Sequence, residues 1–554
     1  FGGGYSDLPV ICLSIDIPAI SDYDGDGDMD IITWTETATT LYFFEGQGVD
    51  NGDCEEISFE MTNRCYGMLA EGTENNAVFI GDAYAEDLTP PDGIADKCGF
   101  NVANPRASNP GERHDGVHTG GTLVNFDLDQ NGIKDLMIGD VTYNNMIAAY
   151  FDDAVDNQDS ATIVSVDFPA GLGTDVAVDL LRFPAGFYED VNNDGINDLL
   201  VCSNGTVEMN DDEGIWLYLN ENENDLPAFT HVGTKWLQET SIEHGRGAHP
   251  ILVDVSGDGL KDLIVSNDEY FIGFGDKPSQ LAYYQNIGTA EDPSFNLVDN
   301  NFADIPAFQL ENIHPSFGDL DADGDLDMIL GEEEGVLHYF ENTAGAGNPM
   351  ELTLSIPAIS DSQGEGIDVG KFSTPMLFDV DDDGRLDMVV GEKNGVLSYY
   401  KNSGSIFEFA WELQENDFEN NWGNVQANNE LGINGYSIPY LFRDEDSNIQ
   451  LLVGNELGQT QWFNNISGNE SGEFTEVQSL FFDLDISNFA SPWFEDLNGD
   501  GMRDYLVGNN RGGLRLFIGD VDDSINVLDP ANEQTYTLYP NPSNGIINVR
   551  FESP

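Results

Sequence analysis

Asp319-Leu320-Asp321-Ala322-Asp323-Gly324-Asp325-Leu326-Asp327 runs directly into Met328-Ile329-Leu330-Gly331-Glu332, and then into Gly335-Val336-Leu337-His338-Tyr339-Phe340-Glu341-Asn342. Sixty residues on, the wording returns as Asp379 to Asp387, Met388-Val389-Val390-Gly391-Glu392 and Gly395-Val396-Leu397-Ser398-Tyr399-Tyr400-Lys401-Asn402. The unit is an acidic loop, D-x-[DNS]-x-[DN]-G-x-x-D, between short apolar stretches. Copies begin at Asp22, Asp127, Asp190, Asp254, Asp319, Asp379 and Asp496. An eighth copy, around Arg443 to Gln450, keeps the flanks and loses the carboxylates. Proline stands four residues before the loop at Pro18, Pro250, Pro315, Pro375 and Pro492, and at Pro439 in the degenerate copy.

The apolar stretches are β-rich and are punctuated by Gly and Asn turns. A further strand follows in several units, such as Met350-Glu351-Leu352-Thr353-Leu354. Helical periodicity is almost absent. Four strands in each ~60-residue unit, repeated about eight times, predict an all-β chain: a β-propeller of four-stranded blades, eight or alternatively seven. A linear β-solenoid fits less well, because its repeats are shorter. The last unit ends one strand short after Leu514 to Phe517, and Pro9 to Ile15 is expected to supply that strand and close the ring. The propeller is expected over 1–518, with an insertion at 50–121, a linker at 519–535 and a different C-terminal piece at 536–554.

If the loop curls, its oxygens at positions 1, 3, 5 and 9 converge on one point, and glycine at position 6 permits the turn. Position 1 is Asp22, Asp127, Asp190, Asp254, Asp319, Asp379 or Asp496; position 3 is Asp24, Asp129, Asn192, Ser256, Asp321, Asp381 or Asn498. Position 5 is Asp26, Asn131, Asp194, Asp258, Asp323, Asp383 or Asp500; position 9 is Asp30, Asp135, Asp198, Asp262, Asp327, Asp387 or Asp504. All are hard oxygen donors, suited to Ca²⁺ and unsuited to zinc or copper. About seven calcium sites are expected, those with Asn or Ser being weaker. The plain alternative is a set of acidic turns held by Asx hydrogen bonds. The loop matches the first nine positions of an EF-hand loop but lacks the Glu at position 12, so no EF-hand is implied.

Loop, apolar strand and glycine together resemble the FG-GAP and VCBS repeats of integrin α-subunit propellers and of many secreted bacterial proteins. The resemblance spans residues from about 17 to 518. It implies structural calcium at the loop positions and no chemistry there. Tyr536-Thr537-Leu538-Tyr539-Pro540-Asn541-Pro542-Ser543-Asn544-Gly545 resembles the start of the C-terminal sorting domain of type IX secretion. That resemblance implies an extracellular or outer-surface protein that meets the type IX machinery during export. With Phe1-Gly2-Gly3-Gly4 first in the sequence, either a signal peptide has been removed or the chain is a fragment.

Composition narrows the partners. The 554 residues hold 102 Asp plus Glu against 19 Lys plus Arg, a formal charge of −83. Such a chain will not hold nucleic acid or anionic membranes by electrostatics. At 40% hydrophobic residues it can still build cores, and no run of 18 apolar residues spans a membrane. Seven divalent ions offset only about 14 of those charges, and the remainder reads as a solubility surface. Of Cys12, Cys54, Cys65, Cys98 and Cys202, a Cys54–Cys65 disulfide is the plausible pair.

Three functions fit. The first is a binding or adhesion module for a glycan or a surface protein, with Trp34, Trp216, Trp422, Trp462 and Trp493 as candidate stacking surfaces. The second is a polysaccharide lyase. Its weak catalytic candidates are His249 and His314, each five residues before a loop, with His244, Arg246 and Lys371 nearby and His114 and His118 in the insertion. The plain reading of both His-Pro pairs is a strand start. The third is a structural surface or filament component. A non-catalytic module is the preferred reading.

Overall fold

Met328-Ile329-Leu330 has no polar face, and both of its faces are covered. Met328 and Leu330 join an apolar cluster with Ile251, Val253 and Ile264 of the preceding repeat. Ile329, pointing the other way, joins Leu377, Met388 and Val390 of the following repeat. The period-2 alternation of a strand thus feeds one residue set to each neighbouring sheet, which explains the uninterrupted apolar runs.

The computed structural model describes residues 16–23, 26–34, 41–47, 58–63, 66–71, 78–80, 121–151, 161–204, 213–222, 226–237, 242, 244–270, 278–414, 418, 421–427, 434–486, 488–519, 538–541 and 546–549. These form two units, Phe1–Trp236 and Leu237–Pro554. Seven antiparallel sheets have at least four strands in chain order, and an eighth has three, so the fold is all-β and propeller-like. The first strands of the eight sheets are Ala19–Ser21, Gly121–Phe126, Pro184–Glu189, His249–Val253, His314–Gly318, Thr374–Phe378, Ile438–Arg443 and Ser491–Glu495. Each acidic loop joins the first strand of its sheet to the second.

Unit 1 holds the first three sheets, with one apolar cluster between the first and second and another between the second and third. Phe59–Asn63, within the span expected to be an insertion, is the fourth strand of the first sheet. Leu69–Glu71 and Val78–Ile80 form a separate hairpin. The Cys54–Cys65 pair, His114, His118 and the strand expected at Pro9 to Ile15 lie outside the described residues. Cys202 is a free thiol.

Unit 2 holds the other five sheets. Apolar clusters lie between the fourth and fifth, fifth and sixth, sixth and seventh, and seventh and eighth sheets. A fifth cluster joins Ala248, Leu252 and Val265 of the fourth sheet to Leu506 of the eighth. The last sheet therefore packs on the first sheet of its own unit, and the five follow one another in a cycle. Glycine at the end of the second strand allows the close approach at four of these junctions. A methyl group on Gly331, Gly391 or Gly454 would collide with the carbonyl oxygen of Ser373, Ser437 or Ala490 on the following sheet. At Gly508 the carbonyl met is that of Ala248, which returns the cycle to its start. The C-terminal strands Leu538–Asn541 and Ile546–Val549 form a hairpin, and the latter pairs with the fourth strand of the fourth sheet at Ser294 to Asn296.

Overpacking of this kind costs about 1–3 kcal/mol. Gly391→Ala and Gly508→Ala are expected to lower the stability of unit 2 by that amount each, read from urea midpoints. An unchanged midpoint for Gly508→Ala alone would break the five-membered cycle.

Candidate metal centres

The aspartate at loop position 9 is the first residue of the second strand and is buried in all seven loops. One carboxylate oxygen accepts from the backbone N–H of Gly46, Phe151, Asn220, Asn286, Asn342, Asn402 or Gly519, at the end of the third strand, over 2.7–2.9 Å. The other accepts from the N–H at loop position 2, on Tyr23, Leu128, Val191, Val255, Leu320, Val380 or Leu497, over 2.8–3.2 Å. Position 9 is thus first an internal clamp between loop and strand. Its oxygens retain lone pairs for a cation, since a carboxylate offers about four. In the seventh sheet, buried Ile449 starts the second strand instead, so the clamp is missing there, while Asp444 still accepts from the N–H groups of Asp446 and Asn448.

The outer positions form a chain of Asx turns. In the second to sixth and the eighth sheets, the position 1 carboxylate accepts from the position 6 glycine N–H over 2.9–3.2 Å. Position 5 accepts from the position 7 N–H in all seven loops. This folding draws acids together. Asp127 with Asp129 and Asp135, Asp319 with Asp321 and Asp323, and Asp379 with Asp381 and Asp387 each offer three oxygens within 4.8 Å of one another. Buried Asp319 Oδ1, Asp325 Oδ1 and Asp381 Oδ1 have no hydrogen-bond partner. Unpaired buried oxygens among like charges fit a hard cation, and Ca²⁺ suits this donor set. Asp24 lies outside the described residues.

Two loops of similar sequence differ in their surroundings. Around Asp319 the field is acidic, with Glu341 and Asp323 raising the pKa of Asp321 behind the larger effect of burial. Around Asp379 it is partly neutralised: Lys401 pairs with Asp381 and lies 3.5 Å from Asp383, Arg385 pairs with Asp383, and Arg443 pairs with Asp382 at 2.6 Å. The Asp319 loop therefore keeps a stronger negative field than the Asp379 loop. The loop wording hides this, because Lys401 and Arg443 come from other segments.

The remaining expected residues separate. His249 and His314 come together with ring centroids 3.9 Å apart, and each is only 4% exposed. His249 Nε2 is 3.0 Å from Asp268 Oδ1. Burial, with His249 adding to it, holds the His314 pKa well below its usual value. His244 instead meets the Tyr284 hydroxyl at 2.6 Å, and burial lowers its pKa to about 4. Lys371 pairs with Glu334 at 2.8 Å, and Arg246 bonds Asn510 and Glu269. The grouping expected of a lyase is thus dispersed, and its two closest members are closed to a polymer. Trp34, Trp216 and Trp422 are buried in the core, and Trp462 and Trp493 are half-buried. The sequence reading missed Phe407, 66% exposed on the turn Ser405 to Glu408.

Residues 190–265 match the FG-GAP-like repeat family. Together with the recurring antiparallel sheets, that match supports an FG-GAP-like repeat within a β-propeller-like chain. No curated protein matches it significantly in sequence. Among solved structures, an Agrocybe aegerita lectin that recognises non-reducing terminal N-acetylglucosamine is 16% identical, covers 65% of this chain and 80% of its own, and has a TM-score of 0.26. BBS1N in complex with ARL6DN is 12% identical in mercury-soaked and lead-soaked forms, with TM-scores of 0.20. The mercury form covers 71% of this chain and 90% of its own. The lead form covers 73% and 93%. TM-scores this low fix neither a shared fold nor a shared ligand.

Burial raises the position 9 carboxyls of the second to sixth and the eighth sheets, to about 7 at Asp135 and about 6 at Asp327, Asp387 and Asp504, from an ordinary 3.8. In metal-free protein the folded state then holds more protons than the unfolded state between about pH 4 and 7. Stability falls as pH rises through that window. After EDTA treatment and desalting, the melting temperature is expected to be higher at pH 5 than at pH 7.5. Millimolar calcium is expected to reverse the order, because it binds the ionised form. A flat profile without metal would contradict the clamp's electrostatics.

Proposed function

We propose that this chain is a calcium-stabilised extracellular binding module, exported by type IX secretion, whose sheet edges and turns hold a glycan or a surface protein. The observation that carries the reading is the repetition of one loop geometry in seven sheets, with convergent carboxylate oxygens at the loops beginning at Asp127, Asp319 and Asp379. Extracellular calcium is abundant enough to fill sites of the sensor-to-module affinity range. The FG-GAP-like match supports a binding role over catalysis, as does the burial of the only paired histidines among the described residues. The strong negative charge keeps the module soluble and selects against anionic membranes.

The test is a glycan-array screen in millimolar calcium, repeated in chelator, with melting curves taken on the same samples. Calcium is expected to raise the melting temperature by about 10 °C, since several sites filled well above their dissociation constants each add to stability. Saturable retention without cleavage is the expected array result. Unchanged melting in chelator would remove the calcium assignment, and release of unsaturated sugars would replace the binding role with a lyase.

A further inference from the structure

The junction between the fourth and fifth sheets differs from the others of unit 2. The second strand of the fourth sheet ends in Ser266, where the next sheets have Gly331, Gly391, Gly454 and Gly508. Here His249 of the fourth sheet, His314 of the fifth and Asp268 just past Ser266 are all buried, and each places one donor atom within 4.8 Å of the other two. One hydrogen bond, His249 to Asp268, does not satisfy the group. His249 Nδ1 and His314 Nε2 are buried without a partner. So is Ser266 Oγ, on the residue that pairs with His249 in the strand ladder. Leaving a buried polar atom unpaired costs about 1–3 kcal/mol, so three at one junction call for a ligand.

The surroundings are shaped for that cluster. Seven residues before the loop the backbone is left-handed in each sheet of unit 2, at Gly247, Asn312, Phe372, Tyr436 and Phe489. The last three rings form an apolar wall, with Phe372 edge-on to His314 at 4.8 Å, Tyr436 on Phe372 at 4.8 Å, and Phe489 on Tyr436 at 4.9 Å. In the fourth sheet the position is glycine, and a Cβ there would stand 2.5 Å from the Asp268 carboxylate carbon. Gly247 therefore makes the space that brings the carboxylate to the histidines. Arg246 Nε, 4.0 Å from the other Asp268 oxygen, is itself balanced by Glu269.

We propose that His249, Asp268 and His314 form a binding site for one divalent first-row transition metal, zinc first, which ties the fourth sheet to the fifth. Two imidazoles and one carboxylate are a borderline donor set that suits zinc and is wrong for calcium, so the site is chemically separate from the acidic loops. Tetrahedral zinc bonds of about 2.0–2.1 Å set donors roughly 3.3–3.5 Å apart, a spacing that small side-chain shifts reach from donors lying within 4.8 Å of one another.

The test uses the whole chain, stripped of metal and returned to millimolar calcium so that the acidic loops are occupied. Zinc is then added and retention is measured after desalting; Co²⁺ serves as the coloured probe. One equivalent of zinc is expected to be retained, and Co²⁺ to give the strong visible bands of a low-coordinate, nitrogen-ligated ion that zinc abolishes. His249→Gln and His314→Gln are each expected to weaken zinc at least about 100-fold. Both should keep the wild-type calcium-dependent melting shift, which reports that the fold survives. If a variant fails to fold, X-ray absorption on zinc-loaded wild type decides: two imidazole ligands are expected, and an all-oxygen shell overturns the proposal. Loss of zinc on desalting in calcium, or equal retention by the His249→Gln/His314→Gln double variant, overturns it as well.

Discussion

Each acidic sheet depends on one buried carboxylate that accepts two backbone N–H groups from different segments. At position 9 the aspartate receives one donor from its own loop and one from the end of the third strand. Without it, both donors would be stranded where water does not reach. The loop can then gather further acids at positions 1, 3 and 5, because its root is already fixed. In the seventh sheet the clamp is replaced by buried Ile449, and the loop is held instead by Asp444, which accepts from Asp446 and Asn448.

A second constraint acts between sheets. The strands of unit 2 approach so closely that the second strand must end without a side chain, and four glycines meet four carbonyl oxygens in turn. Where that glycine is missing, at Ser266, a polar cluster occupies the junction instead. The left-handed residue at the start of each sheet sends the chain into its first strand. It also places Phe372, Tyr436 and Phe489 against one another. Packing, backbone conformation and polar chemistry at this end of unit 2 are therefore one problem with two local solutions.

Much of this was legible in the sequence because it repeats. The spacing of Asp319 and Asp379 with their apolar flanks sets strand number and sheet order, and Gly324 and Gly384 mark the turns. The grouping of sheets was not legible, since every repeat has the same pattern whichever partner it packs on. The eighth repeat reads as an end, yet Gly508 meets Ala248. Position 9 looked like one more ligand because its backbone partners, such as Asn342 and Asn402, lie 15 residues away. Asp268 escaped notice because it stands outside the loop pattern. Trp34, Trp216 and Trp422 look like sugar platforms by residue type, but strand packing turns the first two inward and a short 3-10 turn buries Trp422 against Tyr399 and Phe474.

The most direct measurement compares urea midpoints of Asp327→Ala and Asp319→Ala in EDTA at pH 7.5. Removing Asp327 strands the N–H groups of Asn342 and Leu320, a loss of roughly 2–4 kcal/mol without any metal present. Removing Asp319 exposes the Gly324 N–H to solvent, at a cost of under about 1 kcal/mol until calcium is added. That asymmetry is the predicted result. Equal midpoints for the two variants in EDTA, or a wild-type midpoint for Asp327→Ala, would contradict the claim that the buried clamp, not the metal, is what the sheets are built on.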